Sequence, residues 1–244
     1  ISVYLFITYR SKFLKSFYDS GIPGFFGGFI LSFGFCGYVF AMYNTTVANA
    51  NFIIQTQTIF LAIFGYFFLK EKISAITLAS IILAISGILL MVGGSLSPGQ
   101  MTGNIAAFLM PISFAVLILV VRKYPNVDMV PSQFIAGVFA LIIGYLMSGK
   151  ILISGHDIFL GFLAGSLQLG LGFIFITIGA QRTPSAMVGI IMLTEAVLGP
   201  LWAWIFIDEQ PPMIVLFGGS IVIFAVLLQF YHLFSVEKKQ LNTN

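Results

Sequence analysis

Eight uninterrupted apolar runs constrain this chain more than anything else in it: residues 22–43, 47–69, 75–94, 103–121, 132–148, 158–180, 185–207 and 213–234. Each is long enough to cross a hydrocarbon layer, which takes roughly 20 residues of helix. Charged side chains make up only 8% of the 244 residues and apolar ones 59%, with a mean hydropathy of +1.06. No water-soluble domain carries such a surface. A membrane barrel would show runs of about ten residues alternating apolar and polar, and these runs are continuous. The chain therefore reads as an all-α membrane protein, a polytopic helical bundle whose first partner is the lipid bilayer. Residues 1–9 look like the tail of a ninth span, because the chain opens on Ile and turns basic at Arg10. The expectation is an N-terminally truncated bundle of about eight full spans plus a stub.

The few charges mark topology. If the stub ends in the cytoplasm, Arg10, Lys12, Lys15, Lys70, Lys72, Arg122, Lys123, Arg182, Lys238 and Lys239 all fall on that side and only Lys150 falls outside. Such asymmetry is the positive-inside rule. A missed or invented helix would scramble it for every later loop. The net charge of +3 is thus explained by sidedness, and no nucleic-acid partner is expected. The polar tail 235–244 is placed in the cytoplasm.

Within the runs, the stretch 45–85 returns in weakened form at 183–223. One constant shift lays Thr45 on Thr183, Ile53 on Ile191, Phe68 on Phe206, Glu71 on Glu209, Ile76 on Ile214 and Ile85 on Ile223. The second copy lies five runs further along, an odd number, so in a membrane the two copies point in opposite directions. Inverted repeats of this kind are typical of secondary transporters. The Ser/Pro/Gly-rich connection 95–102 is the expected boundary between a first repeat, 1–94, and a second, 103–234.

Polar residues at membrane depth are the candidates for function. Glu195 is the one charged side chain deep within a run. There an ionisable group costs several kcal/mol unless it is paired, solvated or neutralised, so a role in binding substrate or exchanging a proton is expected. The competing reading is interhelical glue. On the matching run, Asn51, Gln55, Thr58, Ala62 and Gly65 form a polar or small stripe that cannot face lipid. Gln57 takes the position that the repeat pairs with Glu195. Gly161, Gly165, Gln168 and Gly172 share a face that serves either close helix packing or, through Gln168, a substrate path. Trp202 stands two turns from Glu195 and could flank a ligand. Pro111 and Pro200 are expected to interrupt their helices.

Catalytic chemistry has no such footing. His156, His232 and the single cysteine, Cys36, have no metal-ligand or nucleophile spacing, and no phosphate-binding loop with a lysine occurs. No catalytic residue, cofactor or metal is expected.

The run LTEAVLGPLWAWIFIDEQP, 193–211, resembles the penultimate helix of the EamA-type branch of the drug/metabolite transporter superfamily, with Ala196 where that family usually has Pro and Asp208 where it usually has Gly. FFLKEKIS, 67–74, is similar to the equivalent turn of the other half. The resemblance implies ten helices in two inverted five-helix repeats around a central cavity. By it the first repeat here lacks its first helix and most of its second. It also implies a multi-pass protein of the cell membrane (a bacterial inner membrane) with a cytoplasmic C-terminus. The expected function is secondary transport of a small organic metabolite by alternating access, as an exporter of amino acid-like or drug-like solutes, with proton coupling and a homodimer among the expected arrangements. The alternative is an intramembrane enzyme or lipid-handling protein.

Overall fold

A computed structural model describes residues 1–92, 101–148, 154–208 and 210–241. Lys150, Glu209 and most of the connection 95–102 lie outside the described residues. Those described form helices and short connections, with no strand among them. In hydrocarbon every backbone N–H and C=O must be satisfied within the segment, and continuous apolar runs meet that demand as helix.

The order is α1 (Ser2–Tyr9), a 3-10 turn (Arg10–Lys12), α2 (Phe13–Asn44), α3 (Val47–Gln55), α4 (Gln57–Leu69), α5 (Ala75–Val92), α6 (Met101–Ala107), α7 (Leu109–Lys123), α8 (Val130–Ser148), α9 (Gly155–Leu163), a π-helical segment (Ala164–Gly170), α10 (Leu171–Ala180), α11 (Ser185–Met192), α12 (Thr194–Ile207) and α13 (Met213–Leu241). Seven stretches among the described residues are long and apolar enough to cross a membrane, and α5 is a shorter apolar helix. Over their described residues the eight apolar runs thus all become helix, though four of them are broken or bent where the sequence reads as continuous.

Some ends are legible in the residues. Thr46 caps α3, its hydroxyl accepting from the Asn49 N–H at 3.1 Å, and Ser74 caps α5 by accepting from the Thr77 N–H at 3.1 Å. Lys70 closes α4 in the left-handed region at φ 57°, a common way for a helix to end, and the Glu71 N–H reaches back to the Gly65 carbonyl at 3.0 Å. Gly21, at φ 58°, breaks α2 just before the span expected from residue 22. Pro111 sits at the third position of α7. Its ring clashes with the carbonyl four residues back, that of Ala107, and α6 ends there. By contrast α12 continues through position 200, and its break lies upstream at Leu193.

A central core joins α2, α4, α7, α8, α10 and α11 through Leu31, Leu61, Phe114, Leu117, Ala136, Phe173 and Val188. α5 and α13 run antiparallel against each other, so closely that a Cβ on Gly87 would lie 2.7 Å from the Gly218 carbonyl oxygen. The face carrying Gly161, Gly165 and Gly172 behaves otherwise. A Cβ at any of them would meet nothing within 4 Å, so among the described residues that face packs against no neighbouring helix.

Candidate functional site

The two copies of the repeat bend at matching places. Thr56, between α3 and α4, donates its hydroxyl to the Ile53 carbonyl at 2.5 Å. Thr194, opening α12, donates to the Ile191 carbonyl at 2.7 Å. Both bends tighten to three-residue backbone bonds, with the Ile59 N–H on the Thr56 carbonyl at 2.9 Å and the Ala196 N–H on the Leu193 carbonyl at 3.2 Å. A threonine hydroxyl that bonds back into its own helix competes with the ladder and bends it.

Beside these bends a cavity of about 320 Å³ opens between α3, α5, α12 and α13, lined by Asn51, Phe52, Gln55, Ile88, Met91, Glu195, Ala196, Gly199 and Val215. Glu195 stands in the first turn of α12, where the helix dipole favours an anion. Its side chain is exposed and makes no hydrogen bond or ion pair among the described residues. The Tyr38 phenol of α2 lies within electrostatic reach of the carboxylate. Gln55 is 8% exposed, and its Oε1 has no partner. The cavity therefore offers a carboxylate, an unsatisfied amide oxygen and the Asn51 amide against apolar walls, a donor-binding arrangement suited to a small organic solute.

Asn51, Gln55 and Glu195 are thus brought together. The other three expected site residues are not among the lining. Gln57 is buried at 3% exposure, on a side of α4 away from the cavity. Gln168 is exposed in the π-helical segment. Trp202, 52% exposed, packs against Phe206 with ring centroids 5.6 Å apart and planes tilted by 32°.

Towards the other end of the same helices the gap is closed. α4 and α11 cross antiparallel, with the Thr58 hydroxyl on the Gly189 carbonyl at 3.0 Å. A Cβ on Gly189 would come within 2.8 Å of the Thr58 Cα, so only glycine allows this approach. Beyond it, Arg122 donates from Nε and Nη2 to Glu71 Oε1 at 2.9 and 2.5 Å, and from Nη1 to the Gln181 carbonyl at 3.3 Å. Glu71 Oε2 takes the Ser185 N–H at 2.8 Å. One ion pair thereby joins the ends of α4 and α7 to the start of α11. In the sequence Arg122 marks topology and Glu71 marks the repeat; nothing in either residue announces that they meet.

The EamA-like transporter family model matches the chain twice, over residues 1–93 and 98–231. Two similar curated proteins are each described as an uncharacterized transporter. One, from Clostridium kluyveri, is 23% identical over 207 residues, covering 78% of this chain and 66% of its own length. The other, from Methanothermobacter thermautotrophicus, is 24% identical over 205 residues, covering 78% of this chain and 58% of its own length. The chain thus spans less than two thirds of the length of these relatives. A protein of known crystal structure shares the fold at a TM-score of 0.68 with 13% identity, over 93% of this chain and 94% of that one.

Proposed function

This chain belongs to the EamA-like transporter family, and on that premise we propose that it is a secondary transporter of small organic metabolites, working by alternating access through the cavity that holds Asn51, Gln55 and Glu195. The observation that carries the reading is an asymmetry. α3 and α12 are held apart by a cavity with an unpaired carboxylate, while α4 and α11 meet in direct contact behind a Glu71–Arg122 pair. A transporter resting with one end open has this form. The charge distribution supports placing the closed end at the cytoplasm and the open end outside, the state in which the proposed exporter would release solute outward. It also supports a C-terminus in the cytoplasm, which in a bacterial cell would place the protein in the inner membrane. The family match over two successive segments supports two related halves.

Glu195 is the group that would sense the solute. It binds a cationic or N–H-bearing part of it, or exchanges a proton as the cavity changes sides. The enzyme and lipid-handling alternatives gain nothing from this cavity, whose polar lining is Asn51, Gln55 and Glu195, without a nucleophile set beside a base. The test is solute flux in proteoliposomes of the full-length protein, screened with amino acids, nucleosides and cationic drugs. Flux of none of them would sink the reading.

A further inference from the structure

A second cavity, of about 350 Å³, lies at the closed end between α4, α5, α11 and α13, with Glu71, Lys72, Thr77, Met187, Gln229 and His232 among its lining. It is separate from the first. Between the two lies a layer formed by Ile81, Ala84, Ile190, Leu193, Val222 and Val226, each 6% exposed or less.

Gln229 decides what this cavity can hold. Its side chain is 3% exposed. Nε2 donates to Thr77 Oγ1 at 3.2 Å, and the Thr77 hydroxyl is engaged in turn with Ser74 Oγ at 3.0 Å. Oε1 has no partner. A buried acceptor left unpaired is costly, and a bound molecule that completes it is one of its physical explanations. Glu71 adds a second acceptor. An ionised carboxylate has about four lone-pair sites, of which Arg122 takes two on Oε1 and the Ser185 N–H one on Oε2. One remains on Oε2.

We propose that this cavity is a second solute-binding site, taking a small organic molecule that presents an N–H donor, ammonium or amide, to Gln229 Oε1. The proposal stands on the chemistry of this cavity and does not rest on transport through the first.

The test reads occupancy, not flux. In the full chain carrying Cys36→Ala and His232→Cys, the new thiol lies on the cavity wall, and its labelling rate by a soluble thiol reagent is followed in detergent. Methylammonium and acetamide are compared with their N-methylated counterparts, tetramethylammonium and N,N-dimethylacetamide. A bound probe at about twice its Kd slows labelling about threefold. The expected result is slowing by the two N–H donors and not by the methylated pair, abolished by Gln229→Met with the unprotected rate unchanged. Absence of slowing by both donors, equal slowing by the methylated probes, or slowing that survives Gln229→Met would each overturn the proposal. The comparison of donor with methylated probe is made with Gln229 intact, so it decides the matter even if Gln229→Met does not fold.

Discussion

Thr56 and Thr194 make the same bond at equivalent positions of the repeat, each hydroxyl donating to the carbonyl of the isoleucine three residues before it, Ile53 and Ile191. Each marks the point where its helix bends beside the cavity. Valine has the shape of threonine without the hydroxyl, so Thr56→Val and Thr194→Val remove the competing bond and let the ladder straighten. Thermal melting in detergent should move little, by the equivalent of about 1 kcal/mol or less. Transport should fall more than stability does. Unchanged flux in both variants would show that the bends are incidental.

Glu195→Gln keeps size and hydrogen bonding but can neither carry charge nor exchange a proton. The protein should fold and insert normally. Flux in proteoliposomes should drop about tenfold or more, the equivalent of about 1.4 kcal/mol, or lose its dependence on pH. Glu195→Ala should do worse. If the Glu195→Gln protein transports at the original rate, with the original pH profile, the site returns to Asn51 and Gln55.

Gly189→Leu places a side chain where even a Cβ would sit 2.8 Å from the Thr58 Cα. Overpacking of this kind costs about 1 to 3 kcal/mol. It should prise α4 from α11 and raise the labelling rate of a thiol placed at position 186, on the wall of the second cavity. Thr58→Ala, which loses only a hydrogen bond, should cost about 0.6 kcal/mol.

The Glu71–Arg122 pair is largely buried, at 16% and 18% exposure. Arg122→Gln leaves a carboxylate with one partner, a backbone N–H, and should destabilise by about 3 kcal/mol. Adding Glu71→Gln should recover part of that loss. A double-mutant cycle on detergent melting that shows strict additivity would mean that the pair contributes nothing as a pair.

Sidedness is open to cysteine labelling in a Cys36→Ala background. Asn44→Cys should react with an impermeant reagent in intact cells, and Lys123→Cys only after the membrane is opened. The reverse pattern would put the open end at the cytoplasm and remove the support for outward release.

The fold was legible where polar or restricted residues punctuate apolar sequence. The spans, the caps at Thr46 and Ser74, and the break beside Pro111 follow from local chemistry. The bends at Thr56 and Leu193 were not legible, since neither run holds a glycine or proline at the bend, and a threonine within a helix bonds back into it with only a slight bend in most settings, so its presence alone announces none. For the site, Asn51, Gln55 and Glu195 stood out as polar groups at membrane depth. Gln57 follows Gln55 by two residues, which on a helix points it elsewhere, and the bend at Thr56 intervenes. The Gly161 stripe shows the limit of such patterns, because small residues permit close approach without causing it. Arg122 and Glu71 were visible singly; their meeting depends on three connections converging, which no local pattern encodes.

The crossing of α4 and α11 at Gly189 has a mechanical consequence. α4 continues into α3 through the elbow at Thr56, and α11 into α12 through the elbow at Leu193, so the four segments form two arms that bear on each other near one point, like the arms of a clothes-peg. With stiff elbows, parting the arms on one side of the bearing point draws them together on the other, and a single motion serves both ends. With slack elbows the two ends open independently and the barrier leaks. How tightly the two cavities are coupled is therefore set less by either cavity than by the bending stiffness of two single-residue joints.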